Sequence, residues 1–230
     1  MTRTRFVLAT GGLVAAALLA PGALGASKSG VPAPLPPGPR QQLTPEQQAD
    51  ALYNDGLEYR DKAGKYDKEA AAETDTKKKE KLEAKAKDKY QDASRKFSEA
   101  VKKNPNHYSA WGNLGYSLRK TGDYAAALEA YGKAIALQPG YTPAIEYRAE
   151  AYLGLNRIEE AKQAYLQLFP ADRGHADELL DAMKTWVEKR HLEPGDLAPG
   201  VVHDFETWVA QRDELARQTP TVSELQKRKW

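Results

Sequence analysis

The chain has 230 residues, of which 29% are charged and 41% hydrophobic, and its formal net charge is +2. A mean hydropathy of -0.70 suits a thin, surface-rich helical array better than a thick enzyme core, and the length allows one domain with appendages. Cysteine is absent, which excludes disulfides, thiolate nucleophiles, iron–sulfur clusters and cysteine-bound zinc.

Residues 1–26 have the form of a secretory signal. Arg3 and Arg5 make the positive start, Phe6–Leu19 the apolar core, and Ala23-Leu24-Gly25 a small-x-small cleavage site. Cleavage is expected near Gly25 or Ala26, with export to the periplasm, and losing the two arginines takes the net charge from +2 to zero. The alternative is an uncleaved anchor, but Gly11, Gly12 and Pro21 leave an apolar run short of the roughly 20 residues a span needs. No stable membrane span is expected after cleavage. Residues 27–45 are a Pro-rich linker that favours extended polyproline II. Its P-x-x-P pairs, Pro34–Pro37 and Pro36–Pro39, also fit an SH3-type groove, though a stiff spacer is the reading carried forward.

Thr44-Pro45-Glu46 is a helix start, a cap followed by Pro at the first helical position. Ala49–Ala63 is helical, with Leu52, Gly56 and Tyr59 in repeat-like spacing. A second helix carries Tyr90, Ala93, Phe97 and Ala100 before Pro105. About 25 residues separate the two halves. Lys77–Lys103 holds eleven bases and five acids and is rich in Lys, Ala and Glu, so helix propensity is high. It is expected to be a solvated, elongated helix. The alternative is a basic arm for polyanions through Lys77, Lys78, Lys79 and Lys81, although no aromatic interleaves Lys77–Lys89.

Tyr108–Pro139 is the strongest signal in the chain. Trp111, Leu114 and Leu118, then Tyr124, Ala127, Leu128, Tyr131, Ala134 and Ile135, recur three or four apart as one apolar helical face. Gly122 is placed to take positive φ and end the first helix, Asp123 to cap the second, and Pro139 to stop it. The pattern returns after 34 residues, a repeat-length period. Thr142-Pro143 is expected to cap a helix bearing Ile145, Ala149 and Tyr152, with Asn156 in the turn, before Ile158, Ala161, Tyr165 and Leu168. Ala176–Arg190 is a further amphipathic helix, and Leu192–Gly200 a Pro/Gly loop. A last helix spans Val201–Arg217, before a frayed tail over 218–230.

Trp111, Leu114, Gly115, Gly122, Tyr124, Ala127, Tyr131, Ala134 and Pro139 resemble the signature of the tetratricopeptide repeat (TPR). The resemblance implies an all-α protein of the exported bacterial type. It would be a short solenoid of about three helix-turn-helix repeats over 46–170, the first interrupted by a Lys-rich helical insertion, closed by capping helices over 171–217. It also implies a non-catalytic adaptor or scaffold that holds a protein or peptide partner in its concave groove; a self-assembling structural subunit is a further alternative. Groove positions follow from the repeat register: Tyr53 and Leu57; Ser109, Gly112, Asn113, Tyr116, Arg119 and Lys120; Glu146, Tyr147, Glu150 and Leu153. Tyr116 and Arg119 form the expected hot spot by residue type, with simple packing of Tyr116 against the next repeat as the alternative. Family members that bind chaperone C-termini use a two-carboxylate clamp. Asn113 matches one of its positions, but Tyr53, Leu57, Pro143 and Tyr147 occupy others, so clamp binding is not expected.

No catalytic motif accompanies these repeats: G-x-S-x-G, phosphate-cradling glycine loops and H-E-x-x-H are all missing. His107, His175, His191 and His203 are scattered without a metal-binding helical spacing, so neither a metal, a cofactor nor enzymatic activity is expected.

Overall fold

A computed structural model describes residues 42–198 and 200–219. The signal, most of the linker and the tail beyond 219 lie outside them. The described residues form eight α-helices without strands: α1 Pro45–Ala72, α2 Thr76–Lys103, α3 Tyr108–Thr121, α4 Tyr124–Leu137, α5 Thr142–Gly154, α6 Ile158–Ala171, α7 Arg173–Leu192 and α8 Val201–Gln218. None is long and apolar enough to cross a membrane.

The first hairpin is twice as long as the others. Its arms have 28 residues each, about 42 Å at 1.5 Å per residue, against about 21 Å for a 14-residue helix such as α3. Thr44 starts α1 with a capping box: its hydroxyl accepts from Gln47 N at 3.3 Å, and its own N–H donates to Gln47 Oε1 at 3.0 Å. At the other end the chain reverses within three residues. Glu73 Oε1 accepts from the N–H groups of Thr74 and Asp75, and Asp75 caps α2 by accepting from Lys78 N at 3.0 Å. The inserted residues are therefore helical and shared between both arms.

What joins the arms is a seam of small residues. Ala49, Gly56, Ala63 and Ala70 are the buried residues of α1, seven apart, and Ala86, Ala93 and Ala100 are buried at the same interval in α2. A seven-residue repeat keeps one stripe facing its partner, and small side chains let the backbones approach closely. Tyr90 and Phe97, also seven apart, fill the remaining space.

The central hairpin is built as its sequence dictates. Gly122 ends α3 at φ 91°, and Asp123 caps α4 by accepting from Ala126 N at 3.2 Å. Trp111 donates its indole N–H to Pro105 O at 2.8 Å, which fastens the inter-repeat turn. Ala127, Tyr131 and Ala134 are fully buried. In the third repeat Asn156 takes the left-handed turn position at φ 58°. Thr142 departs from expectation. It is the first helical residue of α5 rather than its cap, because its hydroxyl donates to Asp172 Oδ2 at 2.8 Å instead of closing its own helix. Pro170 sits in the last turn of α6, and Asp172 ends α6 while capping α7.

The helices α7 and α8 close the array. Leu179, Leu180, Met183, Trp186 and Val187 of α7 join Ile145, Ala149, Tyr165 and Leu168 in one cluster, which Phe205 and Val209 of α8 complete. Arg173 anchors α8 by donating to Ala216 O at 2.5 Å and Thr219 O at 3.1 Å.

Candidate partner-binding groove

The first helices of the three hairpins meet around an open cavity of about 530 Å³. From α1 come Arg60, Asp61, Gly64, Lys65 and Lys68; from α2 Tyr90; from α3 Asn113 and Tyr116; from α5 Tyr147. The extended length of α1 is what carries Lys65 and Lys68 alongside the second repeat.

Tyrosines form one wall. Tyr116 stands between Tyr90 and Tyr147, edge to face, with ring centroids 5.9 and 5.0 Å apart. Arg119 braces this row from behind, its guanidinium 5.3 Å from the Tyr116 centroid and 5.4 Å from that of Tyr147, while it donates to Glu150 Oε2 at 2.6 Å. Burial, with the negative charge of Glu146 and Tyr116 adding, pushes the Tyr147 phenol up to about 12, so it is a neutral donor at any physiological pH. Tyr90 donates to Asp67 Oδ2 at 2.8 Å, and the same carboxylate holds Lys120 at 2.6 Å.

The floor is a polar network. Asn113 is buried; its amide donates to Ser109 O at 2.9 Å and Tyr53 OH at 3.3 Å, and its Oδ1 accepts from Arg60 at 2.7 Å. Arg60 also pairs with Asp61 at 2.9 Å. Lys65 and Lys68 make no ion pair among the described residues. Three cations against one carboxylate leave the cavity positively charged.

Of the residues expected on the groove, Asn113, Tyr116 and Tyr147 line this cavity. Tyr53, Ser109, Arg119, Lys120 and Glu150 support it from behind through the bonds above. Leu57 is half-buried against the cluster around Phe97. Three expected positions are corrected. Gly112 is buried, facing the Tyr141 ring. Leu153 and Glu146 are buried because α7 packs across α5: Trp186 donates its indole N–H to Leu153 O at 2.8 Å, and Glu146 is 3% exposed. Burial pushes the Glu146 carboxyl up to about 9, with Glu150 and Glu178 adding to the shift. Glu146 lies beside His175 and Glu178, a grouping that residue spacing within one helix does not reveal. Arg60, Lys65, Lys68 and Tyr90 were not legible as groove residues, since their place depends on how far α1 and α2 extend.

The exposed lysines Lys77, Lys78, Lys79 and Lys81 lie in the first turns of α2, without ion pairs among the described residues. His107 caps α3, its Nδ1 accepting from Ala110 N at 3.2 Å, and His191 Nε2 lies 3.1 Å from Glu206 Oε2.

An array of helical hairpins whose helices line an open cavity defines a helical-repeat scaffold. Tetratricopeptide-repeat family models match residues 82–142 and 118–185, so the chain carries tetratricopeptide repeats across that stretch. It is similar to Hsp70-Hsp90 organizing protein 3 of Arabidopsis thaliana, 27% identical over 128 residues, covering 55% of this chain and 23% of that protein. Its likeness to Hsp70-Hsp90 organizing protein 1 of Glycine max is 24% identity over 140 residues, 60% of this chain and 24% of the relative. The chain thus spans about a quarter of the length of the curated relatives it matches. Among solved structures it is similar to the first TPR of Spaghetti (RPAP3) bound to the HSP90 peptide SRMEEVD, at 23% identity and a TM-score of 0.39, covering 57% of this chain and 93% of that one.

Proposed function

We propose that this protein is a non-catalytic adaptor that holds an extended acidic segment of a protein partner in the groove between α1, α3 and α5. The observation that carries the reading is the cavity itself. Lys65 and Lys68 are free to pair with carboxylates, Tyr116 and Tyr147 offer flat apolar area, and Arg60 and Asn113 present polar groups already fixed by the protein. The carboxylate-clamp positions seen in chaperone-binding members hold Tyr53, Leu57, Pro143 and Tyr147 here, so the acidic partner is met by a different set of cations. The leader-like residues 1–26 support action outside the cytoplasm, in the periplasm or cell envelope, with the mature chain beginning near Ala26. The mass of the processed chain tests that part.

The groove is tested by capture from an envelope extract at low and moderate salt. One bait carries Tyr116→Ala with Lys65→Gln and Lys68→Gln; another changes Lys77, Lys78, Lys79 and Lys81 to Gln. A discrete protein that survives moderate salt and is lost with the groove bait alone supports the adaptor. Capture lost only with the second bait, and abolished by salt, would move the activity to the tip of the long hairpin and make it polyanion binding.

A further inference from the structure

Where α7 crosses the third repeat, three side chains meet that neither the groove nor the apolar core uses. Glu146 of α5 is 3% exposed, and its Oε2 is buried without a hydrogen-bond partner. An orphaned carboxylate oxygen at such a place needs a counter-charge or a proton. Arg119, whose charge acts on Glu146, is committed to Glu150 at 2.6 Å. Facing Glu146 from the first turns of α7 are His175 and Glu178, and one ligand atom from each of the three side chains lies within 4.8 Å of the others.

We propose that Glu146, His175 and Glu178 bind a divalent transition-metal ion of the zinc class, which ties α7 to α5. Two carboxylate oxygens and an imidazole nitrogen are a zinc-type donor set, with the fourth position left to water. Ligands about 2.1 Å from a tetrahedral ion stand about 3.4 Å apart, so a trio spread over no more than 4.8 Å has at most about 1.4 Å to close. Glu178 is exposed and can turn to do this. The His175 side chain is 27% exposed, which gives the ion a way in. Asp172 Oδ2, fixed by the Thr142 hydroxyl, lies 3.7 Å from His175 Nδ1, beyond hydrogen-bond distance but near enough that a small turn of the imidazole would let the carboxylate orient it. The positive end of α7 opposes a cation, but modestly compared with two carboxylates. Magnesium and calcium, which favour oxygen ligands, suit this set poorly.

The test uses the full chain, stripped with EDTA and titrated with Zn²⁺, Co²⁺ and Mg²⁺ by calorimetry, visible absorption and thermal melting. Expected are one Zn²⁺ per chain, a visible Co²⁺ band, a melting temperature raised by zinc and no response to Mg²⁺. His175→Ala and Glu178→Gln, both at accessible positions that the fold tolerates, each lower zinc affinity about tenfold or more. Glu146→Gln does the same. The proposal fails if the parent binds no zinc at micromolar concentration, or if zinc binding is unchanged in His175→Ala and Glu178→Gln. It also fails if Glu178→Gln stabilises the metal-free chain while zinc leaves the parent's melting unchanged; the two carboxyls would then simply share a proton. None of these readouts involves the partner groove, so the outcome is independent of the adaptor reading.

Discussion

The α-carbon of Gly56 faces the Phe97 ring so closely that a methyl group placed on it would come within 2.5 Å of the ring edge. Gly115 stands in the same relation to Tyr131, at 2.7 Å, so the long first hairpin and the central one share a single crossing geometry. Both rings are fully buried and have nowhere to retreat. Gly56→Ala and Gly115→Ala each overpack a crossing by about 1–3 kcal/mol, against which the helix gains up to about 1 kcal/mol of propensity. The expected net effect is destabilisation, read as a lower urea midpoint. A midpoint equal to or above the parent's for both variants would refute this crossing geometry.

Gly64 offers the opposite case. It lines the cavity, and a Cβ added there would meet no atom within 4 Å. Gly64→Leu should therefore fill the groove without straining the fold, while improving helix propensity by up to about 1 kcal/mol. The expected result is an unchanged or higher melting temperature with partner capture lost. Capture that persists with this variant would mean the partner binds elsewhere.

Trp186 fastens α7 to the third repeat by donating to Leu153 O at 2.8 Å in a buried setting. Trp186→Phe keeps most of the apolar area and removes one of the two hydrogen bonds to that carbonyl, which still accepts from Asn156 N at 3.0 Å, a cost of about 0.5–1.5 kcal/mol. Chemical denaturation followed by circular dichroism measures the loss. No loss would mean that the Asn156 N–H alone satisfies the carbonyl and that the indole bond does not hold α7 in place.

Much of this architecture can be read directly from residue patterns. Gly122, Asp123 and Asn156 announce their turns because few other residues suit those backbone angles, and Ala93, Phe97 and Ala100 mark the second arm of the first repeat. The seam running from Ala49 to Ala70 is harder to see. Alanine is only weakly hydrophobic and common on exposed helices, so a seven-residue interval of Ala and Gly stands out only once its partner, Ala86–Ala100, lies opposite. The groove follows the same logic. Asn113, Tyr116 and Tyr147 sit at positions set by repeat register, whereas Lys65 and Lys68 enter only because α1 runs on past the repeat. Burial of Glu146 depends on where α7 docks, which periodicity within α5 does not encode.

The contact of α8 with α7 should weaken in acid. Asp213 is held below the usual carboxylate range by hydrogen bonds from Lys184 and Arg217, with Lys184 on α7 at 2.9 Å. Its folded-state pKa is depressed, so its contribution is present above the unfolded value near 3.9 and is lost as pH falls through the lower folded value. The pair is partly exposed, which limits the effect to about 1 kcal/mol or less. Asp213→Asn should melt below the parent at pH 7, and the difference should shrink toward zero at pH 3 and below. A gap independent of pH would assign the loss to packing.

The small-residue seam makes the first hairpin behave like a zipper. Each Ala contributes little buried area, so the outer teeth, beyond Ala63 on one arm and Ala86 on the other, are held mainly by helix propensity and by each other. Opening from the Glu73–Asp75 reversal would first meet Tyr66, packed against the cluster of Ala63, Ala86 and Tyr90, and then Tyr90 itself, bonded to Asp67. The groove lies at that stop. A partner gripped between Lys68 on one arm and Tyr90 on the other would act as the slider, and its arrival would set how far the zipper stays closed.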